Sequence, residues 1–206
     1  MTEARNAILG RIAMALAVPL DAPEVPRKYR RVAGAADLVS LFAELVADYR
    51  ATVRLVPAAE APAAINEALT RHRVRTVAVP AGLPRPWLGL TDAQILVDDP
   101  PLSNSTLDGV DAVVTGCAVA IAETGTIVLD GGPDQGRRVL SLLPDVHICV
   151  VSTAQVVGTV AEALERLEPD RPLTWISGPS ATSDIELRRV EGVHGPRHLE
   201  VVLVAP

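Results

Sequence analysis

Short runs of nearly uninterrupted Val, Ile, Leu and Ala alternate along this chain with stretches whose apolar residues recur at helical spacing. That alternation narrows the fold more than any other feature. A strand that is apolar on both faces has to be covered on both faces, and the arrangement that achieves this is a largely parallel sheet between covering layers. The strand-like runs fall at 52–56, 76–79, 94–97, 146–151, 173–177 and 199–204. Between 112 and 129 the chain is almost continuously apolar, interrupted at Gly116 and at Glu123-Thr124-Gly125, which predicts several short strands including a tight hairpin.

The helical stretches are as clear. Leu38, Leu41, Phe42, Leu45, Val46 and Tyr49 share one face behind Asp37, a capping residue. Pro62 sits in the first turn of a second helix carrying Ile65, Ala68 and Leu69. Val156, Val157, Val160, Ala161, Leu164 and Leu167 predict another, with Glu162, Glu165 and Arg166 outward, and shorter helices are expected at 137–142 and 185–190. Ile8, Leu9, Ile12 and Leu16 predict an N-terminal helix within residues 1–18. Residues 19–35, with Pro19, Pro23, Pro26 and the basic run Arg27, Lys28, Arg30 and Arg31, read as an extended connector. Residues 36–206 then form a single α/β domain.

Composition excludes several function classes. At 49% hydrophobic over 206 residues the chain has enough apolar surface for a core. With 19 basic and 25 acidic residues its formal charge is −6, which argues against nucleic acid as a partner. Aromatics are 2% of the chain, too few for base-stacking platforms. Cys117 and Cys149 match no disulfide or zinc spacing and read as small buried hydrophobes. Glu3 and Arg11 break the resemblance of the first twenty residues to a signal peptide, and no run approaches the roughly eighteen apolar residues of a membrane span. A cytoplasmic protein is expected.

The polar chemistry gathers in three loops. The first is the cluster at 177–186, where Gly178, Pro179, Ser180, Thr182, Asp184 and Glu186 follow an apolar strand. Ligands of open α/β sheets bind beyond strand carboxyl ends, where a helix start favours an anion; the alternative is that Thr182 or Ser183 caps the helix and Asp184 complements its dipole. Nearby, His194 stands between glycines in Gly192-Val193-His194-Gly195-Pro196, either reaching a cleft as proton donor or acceptor or serving structure alone.

Second is Glu123 with Thr124 and Gly125, the one ionisable group between two apolar strands: a nucleophile or base, or a solvated turn residue. The third loop sets Gly131 and Gly132 beside Arg137 and Arg138, suited to an acidic ligand or simply a helix start. No G-x-G-x-x-G, Walker loop or nucleophile elbow is present, and no metal site is expected.

Three blocks carry a family resemblance: Ala122-Glu123-Thr124-Gly125-Thr126-Ile127-Val128-Leu129; Gly136-Arg137-Arg138 with Leu142, Pro144, Val146 and His147; and 177–186 with Gly192-Val193-His194-Gly195-Pro196. In this order they closely resemble the LUD-domain family of lactate utilisation proteins (LutC/YkgG-like), over most of the chain. The resemblance implies a three-layer α/β/α fold with a mostly parallel sheet, like that of glucosamine-6-phosphate deaminase, ribose-5-phosphate isomerase and the CoA transferases.

It also implies a role in oxidising L-lactate to pyruvate with iron–sulfur partner subunits, so no cofactor is expected on this chain. Ala181 departs from the pattern, standing where family members often carry Arg or Lys. By fold-level analogy to the CoA transferases, Glu123 is the nucleophile candidate. Three readings of function follow: a subunit that binds a small organic or phosphorylated acid, a stand-alone enzyme on a phosphorylated or CoA-linked acid using Glu123, and an organic-acid sensor.

Overall fold

The structure is a computed structural model of the chain that describes residues 2–17, 24–26, 34, 37–182, 190–191 and 195–206. Helix α1 (Thr2–Ala15) leaves its Ile8, Leu9 and Ile12 exposed, and Leu16 just beyond it is exposed too. Helix α2 (Leu38–Asp48) begins at Asp37, whose carboxylate accepts the N–H groups of Val39 and Ser40 at 3.1 and 3.0 Å, and it buries Phe42 and Val46. Strand β1 (Thr52–Pro57) leads to α3 (Ala61–Arg71), where proline occupies a first-turn position whose N–H has no helical partner to lose. Strands β2 (Thr76–Val79) and β3 (Gln94–Val97), helix α4 (Asn104–Asp108) and strand β4 (Ala112–Thr115) follow. The expected hairpin is β5 (Val119–Ile121) and β6 (Thr126–Leu129), paired antiparallel around a turn in which Gly125 takes φ 56°. Strand β7 (Val146–Ser152) comes next.

The helix expected from Val156 starts later. Val156 and Val157 form strand β8 (Val156–Val157), and α5 (Val160–Arg166) begins after Thr159. There the Thr159 hydroxyl accepts the Glu162 N–H while the Glu162 carboxylate accepts the N–H groups of Gly158 and Thr159. Strands β9 (Thr174–Ile176), β10 (Ala181–Thr182), β11 (Val190–Glu191) and β12 (His198–Ala205) complete the order. Of the short helix expected at 185–190, residues 185–189 lie outside the described residues, and Val190 is in a strand, paired with Thr182.

Six strands form a wholly parallel sheet in the order β1-β12-β7-β4-β2-β3. One face, with Val114, Ile148 and Val202, packs on Ile65, Ala68 and Leu69 of α3. The other, with Cys149, Leu199, Val201 and Leu203, meets Phe42 and Val46 of α2 together with Ala120 and Ile127 of a second sheet, ordered β8-β5-β6-β9. Val119, Ile121 and Val128 on the far side of that second sheet pack on Ala163 and Leu167. The covering on this face is therefore part helix and part sheet. Strands β5 and β6 are buried throughout because one side faces the main sheet and the other faces α5. Among the described residues no helix is long and apolar enough to cross a membrane.

Candidate functional site

Strands β2, β3 and β6 all deliver their next residue, Pro80, Asp98 and Asp130, to one cavity of about 520 Å³. Its wall is the glycine loop expected at 131–136. Gly131 and Gly136 take φ of 72° and 68°, conformations open to glycine at little cost. The loop is pinned on both sides. The Gly116 N–H donates to the Asp134 carbonyl at 2.9 Å, the Gly82 N–H to Pro133 at 3.0 Å, and the Gly132 N–H to the Asp130 carboxylate at 3.0 Å. Burial pushes the Asp134 carboxyl above its ordinary range.

Three arginines meet this cavity in different states. Arg137 makes a two-point pair with Asp98 and also donates to the Leu102 carbonyl. Burial works to raise the Asp98 carboxyl, but the Arg137 hydrogen bond and the Leu102 N–H outweigh it and hold it low; Asp98 in turn raises Arg137. Arg171 pairs with Asp130 at 2.7 Å. Arg138 is exposed and makes no ion pair or side-chain hydrogen bond among the described residues.

A second cavity, of about 320 Å³, adjoins the first and shares Arg138, Ser141 and Thr174 with it. It lies between the main sheet, represented by His147 and Leu199, and β9 with the loop that follows it. That loop is held in place where the Ser180 N–H donates to the Pro196 carbonyl at 2.8 Å. Gly178, at φ 83°, lets the chain pass Tyr49, since a Cβ there would stand 2.7 Å from the Tyr49 carbonyl oxygen. His147 is 1% exposed, its Nε2 lies 2.8 Å from the Thr115 hydroxyl, and burial lowers its pKa to about 4. It is a neutral imidazole at pH 7.

The structure thus divides the residues singled out from sequence. Gly131, Gly132 and Arg137 line the first cavity, and Gly178, Pro179, Ser180 and Gly195 the second. Glu123, Thr124 and Gly125 line neither; their turn sits against α2 and joins the second cavity through hydroxyls, Thr124 to Thr126 at 2.8 Å and Thr126 to Ser177 at 2.8 Å. Thr182 belongs to β10, and Asp184, Glu186 and His194 lie outside the described residues. Sequence reasoning missed Asp98, Asp130, Ser141, Arg171 and His147. For His147 a signal existed: it is the one titratable group of ordinary pKa near neutrality inside an otherwise apolar strand.

Cys117 and Cys149 are both buried, and the neighbouring Cys149 thiol together with burial raises the Cys117 thiol well above its ordinary value. Among the described residues no group of three or more His, Cys, Asp or Glu is placed to hold a metal ion.

A parallel sheet whose loops gather two adjoining cavities, beside an arginine with no ion-pair partner among the described residues, defines an open-sheet α/β protein with cavities of small-molecule size. The LUD domain profile matches residues 104–204. Lactate utilization protein C of Deinococcus radiodurans is 56% identical over 173 residues, covering 82% of this chain and 80% of that protein. Lactate utilization protein C of Bacillus subtilis is 34% identical over 100 residues, 45% of this chain and 41% of that protein. The crystal structure of a DUF162 family protein from Deinococcus radiodurans superposes with a TM-score of 0.71 at 50% identity, covering 81% of this chain and 96% of that one. The chain belongs to the LUD-domain family.

Proposed function

We propose that this protein serves L-lactate utilisation, the oxidation of lactate to pyruvate, in the cytoplasm, by binding a small organic or phosphorylated acid in the paired cavities. The family relationship supports the process, and one observation carries the binding role: Arg138 lines both cavities and has no ion-pair partner among the described residues, while Arg137 and Arg171 are neutralised by Asp98 and Asp130. A guanidinium so placed favours a carboxylate or phosphate. In this reading iron–sulfur partner subunits carry the electrons, and this chain presents or retains the acid.

The process is tested by deleting the gene and measuring growth on L-lactate as sole carbon source. Loss of growth, restored by the wild-type chain and not by an Arg138→Met variant, is the expected result, and unimpaired growth of the deletion strain overturns the reading. Co-purification with iron–sulfur subunits tests the partnership.

A second reading has Glu123, with His194, acting as nucleophile or base on a phosphorylated or CoA-linked acid. Its support is the hydroxyl chain from Thr124 through Thr126 to Ser177, which connects the Glu123 turn to the second cavity. Turnover lost in Glu123→Gln while ligand affinity is kept favours it over binding alone.

A further inference from the structure

Helix α1 carries an apolar stripe that its own chain does not cover. Ile8, Leu9 and Ile12, with Leu16 one residue past the helix end, fall at helical spacing, and every residue from 3 to 17 is exposed. An isolated helix of 14 residues is marginal in water, so this one gains stability from a surface that receives the stripe. Arg5 lies three and four positions before Ile8 and Leu9, and Arg11 three after Ile8, so both guanidiniums border the stripe.

The counterpart is on the body. Val160 and Leu164 stand one turn apart on α5 and are exposed, beside exposed Glu165 and, just beyond the helix, exposed Glu168. Trp175, also exposed, is opposite Val128 in the β6–β9 pair and so lies on the side of the second sheet that α5 covers, because Val128 packs with Ala163 and Leu167. The charges are complementary over the whole chain as well: residues 1–35 hold six basic and three acidic residues, and residues 36–206 hold 13 basic and 22 acidic. Two bodies of that charge repel each other, and a basic arm laid on an acidic face relieves the repulsion.

We propose that α1 docks on α5 of a second copy of this chain, its stripe on Val160 and Leu164 and its arginines toward Glu165 and Glu168, and that α1 of the second copy docks here in return. Such an exchange is closed: each copy gives one arm and accepts one, and no face is left over to extend a fibre. The 17 residues from 19 to 35 reach at most about 60 Å when extended, so the exchange is within their span. A second copy is favoured over the chain's own body because α1 stays exposed on the single chain. It is favoured over a lipid surface because the stripe has no Trp or Phe and the helix only two basic residues, whereas an acidic counterpart lies on this chain.

The experiment is sedimentation velocity on the full chain at pH 7. The wild type is expected to sediment as a dimer, twice the 21.7 kDa chain, at micromolar concentration. Ile12→Asp on the arm and Leu164→Asp on α5 should each weaken dimerisation about a hundredfold, about tenfold for each of the two docks, because an aliphatic side chain is lost from both. Both side chains are exposed in the single chain, so these variants should keep a cooperative unfolding transition, and loss of the dimer is not loss of the fold. Arg5→Glu with Arg11→Glu should loosen the dimer several-fold, and adding Glu165→Arg with Glu168→Arg in the same chain should restore it. A wild type that is monomeric at about 100 µM, a dimer indifferent to Ile12→Asp or to Leu164→Asp, or a second charge reversal that fails to restore the first overturns the inference. A monomer that binds pure phosphatidylglycerol vesicles through α1 overturns it too, in favour of a lipid surface.

Discussion

Arg137 grips Asp98 at two points, Nε 2.8 Å from one carboxylate oxygen and Nη2 2.9 Å from the other, tying the residue after the glycine loop to the end of β3. The Asp98 carboxylate is 6% exposed and also accepts the Leu102 N–H at 2.8 Å. A planar two-point pair fixes orientation as well as charge, so Arg137 shapes the cavity wall. Arg137→Met leaves that carboxylate without its cation. Because Arg137 itself is more than a third exposed, the loss should fall below the roughly 3–5 kcal/mol of a fully buried pair, at about 2 kcal/mol. A urea unfolding midpoint equal to that of the wild type would refute this structural role.

Arg138, one residue on, should behave in the opposite way. It has no partner to lose among the described residues, so Arg138→Met is expected to leave stability within about 0.5 kcal/mol of wild type. Affinity for inorganic phosphate or a small carboxylate should fall about tenfold or more, since a charge-assisted hydrogen bond contributes about 1.5–3 kcal/mol. Calorimetry beside urea unfolding separates the pair: Arg137→Met should show chiefly in the unfolding curve, Arg138→Met chiefly in binding.

Local pattern made most of the fold legible. Asp37, Pro62 and the face from Leu38 to Val46 announced α2 and α3, and the apolar runs announced the strands, because capping and burial periodicity are written within a few residues. Val156 and Val157 deceived the same reasoning, since two buried valines of an edge strand continue the apolar spacing of the helix that follows. Only Thr159 and Glu162, three apart, marked the true start. The site was half legible for a related reason. Glycines and hydroxyls betray loops, so Gly131, Gly132, Gly178 and Ser180 were found. Whether an arginine is free or neutralised depends on residues 39 and 41 positions away, as with Arg137 to Asp98 and Arg171 to Asp130, and no local pattern carries that information.

Gly125 joins the Glu123 turn to α2. Its φ is 56°, and a Cβ built there would stand 2.7 Å from both the Leu45 carbonyl carbon and the Val46 nitrogen, atoms of helix backbone with no rotamer to give way. Gly125→Ala therefore combines a left-handed strain with a backbone clash and should cost about 3 kcal/mol, shifting α2 from the second sheet. Thermal unfolding is the measure. A wild-type melting temperature would show that the turn and helix part easily, contrary to the contact seen.

His147 sets an acid limit on stability. Its ordinary value of 6.5 describes the unfolded chain, and burial lowers it to about 4 in the fold. Between these two values the unfolded state binds the proton that the folded state refuses, so stability rises with pH across this window. The contribution is fully retained above pH 6.5, is lost progressively as pH falls toward 4, and amounts to about 3 kcal/mol at its limit. Other groups titrate in the same range, so the comparison is with His147→Phe: the wild-type-minus-variant difference in unfolding free energy should become more favourable to wild type on going from pH 4 to pH 7. A difference that stays flat between these pH values would mean that His147 takes up its proton in the fold as readily as in the unfolded chain, which is incompatible with burial lowering its pKa to about 4.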